Sequence, residues 1–290
     1  MCASQNCRRA APEPPAARRD CVAAQGVVTS AHPLASQAGL EILKKGGNAV
    51  DAAIAIALVL GVVEPYASGI GGGGMAIVYI ARENKSYIVD FQDVGPQKCR
   101  PDTYKPFKGK TPEFKKIGYK SVAVPGELRG LELLAKKFGT MKWADLFAPA
   151  IKYAEEGFPV SQTLTGIITE DMMRIDKYPA SSKAWFARQF YRDGLPLQPG
   201  AKLTNRELAQ TLRKIAIGGA DAFYRGEIAA AIAQEFSGQD AAGWITLEDL
   251  ASYQAVLREP LVGSYRGYDI YGFPPPGSGL VVMEMLNILE

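Results

Sequence analysis

The sequence predicts an α+β fold. Three observations carry that expectation. Strand-like stretches come as adjacent pairs, at 75–80 with 86–91 and again across 260–271, which is the pattern of antiparallel hairpins. Helical periodicity is gathered into runs of its own, at 33–63 and 127–156. Strand and helix therefore do not alternate as a doubly wound parallel sheet requires. Apolar residues make up 47% of 290 positions, enough for a packed core. At about 150 residues per domain, the length allows one large domain or two ordinary ones.

Residues 1–25 combine Ala, Pro, two Arg-Arg pairs and the cysteines Cys2, Cys7 and Cys21, with no face that could pack; they read as a disordered leader. A secretory signal needs about 7–15 consecutive apolar residues, and the leader has no such stretch. It suits either a cytosolic start or an exported chain already processed, and Cys2 after Met1 would suit a lipid anchor. The β-branched stretch 26–30 reads as a strand. Pro33 opens a helix that Gly46-Gly47 ends. Asn48, with Asp51 three residues on, caps a second helix to Val63. That helix is apolar on nearly all sides and should be buried. It is too short to cross a bilayer, which takes about 20 residues.

After the glycine run Gly69–Gly74 come two strands turned at 82–85. Residues 99–120 are polar, rich in Lys and Pro, and read as a surface loop. A short strand is expected at 121–124, then helices at 127–138 and 143–156, each stopped by Gly. Residues 160–200 mix helical fragments with turns. Thr204 and Thr246 look like helix caps. The final helix keeps apolar residues at helical spacing (Val282, Met285, Leu286 and Leu289) and ends without Gly, Pro or a basic turn, so 290 reads as a truncation point.

Charge excludes some functions. Thirty-three basic against 30 acidic residues leave +3, which suits neither a nucleic-acid binder nor an acidic tail. With His32 as the one histidine, His-based zinc and iron sites are excluded, and no metal or cofactor is expected. The glycine run satisfies G-x-G-x-x-G, but a helix precedes it and a strand follows, the reverse of a dinucleotide loop. Close approach of backbone to another segment or to a substrate explains it better. His32 reads as structural. Cys99, in a basic loop, has no visible partner, and Asp90 and Asp93 at a strand end form a carboxylate pair that acid–base chemistry could use. No group is convincingly catalytic.

The residues Val28-Thr-Ser-Ala-His-Pro-Leu-Ala35, Gly46–Ala53 and Gly69–Gly74 resemble the start of the γ-glutamyltranspeptidases. The likeness continues through Val124-Pro-Gly126, Phe138-Gly-Thr140, Ala154–Phe158, Phe223–Gly226, Ile245–Leu250, Tyr265–Tyr268 and Pro274–Glu290. Each motif is weak alone; so many in order, over 26–290, are specific. The resemblance implies the αββα four-layer sandwich of N-terminal-nucleophile hydrolases, with 26–290 as an incomplete, large-subunit portion of one such domain. It implies a precursor that cleaves itself, exposing a threonine at the start of a small subunit, whose own α-amine serves as base. That nucleophile lies beyond this chain, so no catalytic residue is expected within it and the chain alone should be inactive. The implied partners are the small subunit and a γ-glutamyl amide; nucleic acid and a membrane span are not expected. The implied location is periplasmic or secreted, while the residues themselves leave a cytosolic one open.

One departure bears on substrate. Where the family has Asp-Phe-Arg-Glu, its arginine gripping the substrate α-carboxylate, this chain has Asp90-Phe91-Gln92-Asp93. Gln92 offers a neutral amide in place of a charged two-pronged donor. That exchange costs about 1–2 kcal/mol, roughly tenfold in affinity. Asp93 adds no help for an anion. Three readings follow: a γ-glutamyl enzyme with a compensating cation such as Arg82 or Arg100, a relative acting on another acyl amide, and a non-enzymatic module on the same scaffold.

Overall fold

The computed structural model describes residues 22–106, 117–238 and 243–290. The fold is α+β. Helix α1 (Pro33–Lys44) and helix α2 (Ala49–Val63) pack on each other. Pro33 sits in the first turn of α1, where no N–H is needed, and His32 is its cap, Nδ1 accepting from Leu34 N at 3.2 Å. The α2 cap is reciprocal: Asn48 Oδ1 accepts from the Val50 and Asp51 N–H groups, and the Asp51 carboxylate accepts from Asn48 N. As its composition requires, α2 is the buried helix, with Ile54, Ala55, Leu58, Val59, Val62 and Val63 in the core.

Strands β1 (Gly74–Ile80) and β2 (Lys85–Phe91) form the expected hairpin, with Gly74 opposite Phe91 and Ile80 opposite Lys85. Their turn ends at Asn84, whose φ of 47° is a left-handed conformation that Asn tolerates. Helices α3 (Glu127–Phe138) and α4 (Trp143–Glu156) follow. The next stretch holds β3 (Phe158–Pro159), α5 (Gln162–Met172), α6 (Ala180–Phe190), β4 (Tyr191–Arg192), β5 (Leu195–Pro196) and β6 (Lys202–Leu203). Then come α7 (Arg206–Gly218), α8 (Asp221–Tyr224), α9 (Glu227–Ser237), α10 (Leu247–Ser252), β7 (Val256–Arg258), the hairpin β8 (Leu261–Tyr265) with β9 (Tyr268–Gly272), and α11 (Gly279–Leu289). Strand β7 adds antiparallel to β2, giving the sheet order β1-β2-β7. Helix α3 covers this sheet, α2 lies on α3 and α4, and α4 lies on α7, so the core runs from sheet into helices.

Three local expectations are corrected. Residues 26–30 form no strand: Val28 packs against the helical core, so its burial needs no strand partner. Residues 121–124 give a 3-10 turn, Tyr119–Ser121, and a single bridge from Val124 to Val94. The cap of α7 is Asn205, one residue after Thr204, because its side chain accepts from Leu208 N at 2.9 Å. The leader expectation lies outside the described residues up to 21, with Cys2, Cys7 and Cys21; residues 22–25 are exposed. Among the described residues no helix is long and apolar enough to cross a membrane.

Candidate substrate-binding site

The end of β2 is the best-supported candidate. Asp90 is ion-paired with Arg258 at 2.7 Å, and the same guanidinium donates to the Pro275 carbonyl at 2.9 Å. One arginine thus ties β2 to β7 and to the proline turn before α11. Phe91 turns inward onto α3, where Gly130 makes room for its ring. Gln92 is held by its backbone: its N–H donates to Asp90 Oδ1 at 3.2 Å, and its carbonyl accepts from the Tyr253 hydroxyl at 2.7 Å. Its side-chain amide has no hydrogen bond among the described residues. Gln92 borders a cavity of about 480 Å³ whose other walls are mainly apolar: Met75, Ile77, Ile270, Phe273 and Val282, with the turn at 276–279. Asp93 is exposed and is not a wall of that cavity. Burial first, then the charges of Asp90 and Asp93, push the Tyr253 phenol up.

The glycine run is locked against this strand end. The Gly72 carbonyl accepts from both Gly126 N (2.8 Å) and Glu127 N (2.9 Å), which joins the loop to the first turn of α3. A Cβ on Gly73 would stand 2.5 Å from the Asp93 nitrogen, so only glycine permits this approach. Beside the loop lies a second cavity, of about 500 Å³, bordered by Tyr66, Ser68, Gly71–Gly73 and Glu127. Burial pushes the Glu127 carboxyl up to about 7. Sequence reasoning missed Glu127, because an acid in the first turn of a helix reads as an ordinary complement to the helix dipole.

The sequence motifs behind this site meet in space. Asn48 Nδ2 donates to the Phe138 carbonyl at 2.6 Å. The Asp51 carboxylate accepts from Thr140 Oγ1 at 2.6 Å, from Thr140 N at 3.1 Å and from Met141 N at 3.2 Å. Burial alone would raise the Asp51 carboxyl, but these bonds outweigh it and hold the group below its ordinary value. The buried Tyr224 hydroxyl donates to the Pro125 carbonyl at 2.8 Å, and its ring stacks on Tyr253 at 5.9 Å. Asp249, in its own capping box with Thr246, accepts from Gln97 N at 2.8 Å. The loop after Gln92 is thereby anchored to α10.

Other candidates do not converge here. His32 is a helix cap; burial, opposed by the Glu64 charge, holds its imidazole below the ordinary range. Cys99 Sγ lies 3.6 Å from the Tyr104 hydroxyl. Arg82 pairs with Glu83 at the turn of the β1–β2 hairpin, about 25 Å along the strands from Gln92. Arg100 is exposed and borders neither cavity. The cation fixed at the strand end is Arg258, and its pairing across 168 positions leaves no trace in local sequence. Among the described residues no cluster of side chains could hold a metal ion.

Residues 35–290 match the family model described as gamma-glutamyltranspeptidase. The chain is 39% identical over 272 residues to a glutathione hydrolase proenzyme of Bacillus subtilis, covering 93% of this chain and 45% of that one. It superimposes on the crystal structure of Helicobacter pylori gamma-glutamyltranspeptidase with a TM-score of 0.86 at 39% identity, covering 93% of this chain and 76% of that one. A cephalosporin acylase from Bacillus halodurans gives a TM-score of 0.80 at 37% identity, covering 89% and 47%. The chain spans about half the length of the curated relatives it matches.

Proposed function

Since the chain belongs to the γ-glutamyltranspeptidase family, we propose that it is the acyl-recognising, large-subunit part of a self-processing amide hydrolase or acyltransferase. In this reading, 26–290 contributes to one αββα domain completed by a small subunit from the same precursor. The hydroxyl of the threonine that begins that subunit attacks the substrate amide carbonyl while its α-amine takes the hydroxyl proton; that proton then passes to the substrate nitrogen as the C–N bond breaks, leaving an acyl ester on the threonine and a free product amine. The acyl ester is then resolved by water or by a second amine. Backbone N–H donors stabilise the oxyanion. An exported location is part of the proposal and rests on the family alone.

The observation that carries it is the position of Gln92. It stands where the family resemblance puts the substrate-gripping arginine, on a strand end clamped by Arg258, Tyr253 and the glycine run, and it borders a cavity. The apolar walls and the neutral amide favour a second reading of the same site, an acyl group without a free α-carboxylate. The likeness to a cephalosporin acylase supports that reading.

The test uses the full-length gene product with two anilides, γ-glutamyl and butyryl; the second lacks both the α-carboxylate and the α-amine. The γ-glutamyl reading expects Gln92→Arg to raise kcat/KM for the γ-glutamyl anilide about tenfold, mainly through KM. The neutral-acyl reading expects the butyryl anilide to be the better substrate of the unaltered protein and the worse one after the exchange. If the exchange changes neither ratio, Gln92 does not contact the acyl group.

A further inference from the structure

The backbone at Gln92 is held from outside its own sheet. The β1–β2 ladder ends at the pair Gly74–Phe91 and the β2–β7 ladder at Asp90–Val256, so Gln92 lies one residue past the last strand pairing. A residue in that position ordinarily turns about its two soft dihedral angles. Here the peptide groups on both sides of its Cα are bonded. The N–H donates to Asp90 Oδ1 at 3.2 Å, and the carbonyl accepts from the Tyr253 hydroxyl at 2.7 Å. The hydroxyl has little freedom of its own. Tyr253 is buried, and its ring lies nearly parallel to that of Tyr224, with 11° between the planes. A Cβ on Gly126 would stand 2.2 Å from the Tyr253 hydroxyl oxygen, and one on Gly73 would stand 3.0 Å from the Gln92 carbonyl carbon. Donor and acceptor are thus wedged between two glycine positions. Burial first, then the Asp90 and Asp93 charges, raise the phenol, which therefore stays a donor.

We infer that Tyr253 is a positioning residue for acyl recognition: its bond to the Gln92 carbonyl sets the direction in which the side chain of residue 92 leaves the strand end. The inference rests on the reading in which residue 92 contacts the acyl group. Tyr253 is not a wall of the cavity that Gln92 borders, so its effect passes through residue 92. Loss of the hydroxyl leaves the carbonyl without its donor, and the peptide group turns to find another. A side chain displaced in this way loses its contact in ground state and transition state alike, which shows in KM rather than in kcat. A tyrosine with a structural role alone would instead lower the melting temperature and the active fraction, which scales kcat and leaves KM unmoved.

The experiment is a double-mutant cycle in the full-length protein, read with whichever of the γ-glutamyl and butyryl anilides it turns over better. Gln92→Ala tests the underlying reading and is expected to raise KM about fivefold or more. Tyr253→Phe removes one oxygen and keeps the ring stack; it is expected to raise KM about threefold or more, with kcat within about twofold and near-UV circular dichroism retained. Added to Gln92→Ala, it is expected to leave KM within about 1.5-fold, because the side chain it orients is gone. Tyr253→4-aminophenylalanine, which restores a donor at the same ring position, should return KM to within about twofold of the parent. If neither anilide is turned over, or Gln92→Ala leaves KM unchanged, the reading of residue 92 fails and this inference with it. If Gln92→Ala raises KM but Tyr253→Phe does not, or raises it by the same factor in both backgrounds, this inference alone is overturned. So it is if the folded 4-aminophenylalanine variant keeps the raised KM.

Discussion

Asp51 carries more of the fold than any other single carboxylate described above. It caps its own helix and gathers the N–H and hydroxyl groups of Thr140 and the N–H of Met141, with no residual exposure. Replacing it with Ala strands those donors, and a loss of about 3–5 kcal/mol is expected. Thermal or urea unfolding measures it directly. Because the folded carboxyl is held below the unfolded value of about 3.9, its contribution is complete above that pH and is lost as pH falls through the folded value. Glu127 has the opposite sign. Its folded carboxyl titrates at about 7 against about 4.3 unfolded, so between those values the folded state binds more protons and stability falls as pH rises. Glu127→Gln should flatten that slope and add on the order of 2 kcal/mol above pH 7, allowing for partial exposure. A series of melts from pH 5 to 8 decides it; an unchanged slope would show that Glu127 does not cause it. At this scale the sequence disclosed the Asn48–Asp51 box, because capping is local, but not the reach of Asp51 to Thr140, which joins positions 89 apart.

The docking of α3 on β2 turns on one glycine. In an exposed helix Gly→Ala stabilises by about 1 kcal/mol. At Gly130 the added Cβ would overlap the Phe91 ring, so Gly130→Ala is expected to destabilise by about 1–3 kcal/mol instead. A Gly130→Ala, Phe91→Leu double variant should recover part of the loss in the same unfolding assay. Helix bounds were legible where apolar periodicity met a glycine stop: α3 and α4 begin and end where the sequence places them. The two strands misread, at 26–30 and 121–124, share a cause. A β-branched stretch such as 26–30 satisfies its propensity by packing on a helix, and nothing local reveals whether a strand partner exists. The candidate site was half legible: Gln92 stood out against the family pattern, whereas Arg258, Tyr253 and Glu127 reach it by contacts the chain order conceals.

Over the whole molecule the apolar surface is unevenly finished. Helix α11 exposes Leu280, Val281, Met285, Ile288 and Leu289, beside Val262 and Tyr271 of the β8–β9 hairpin, and β1 is an edge strand carrying exposed Ile77 and Tyr79. Such a surface promotes association. Residues 1–290 produced alone are expected to form oligomers or aggregates by light scattering, and Met285→Lys with Ile288→Glu to shift them toward monomer without lowering the melting temperature. A monodisperse, cooperatively melting unaltered sample would count against this. One further feature has a practical value. The single imidazole, His32, caps α1 through a ring nitrogen that can accept a hydrogen bond only when unprotonated. In an untagged sample its carbon-bound protons give nuclear magnetic resonance lines that need no assignment. Their titration, displaced below that of a free imidazole, serves as a built-in gauge of whether the first helical turn is closed.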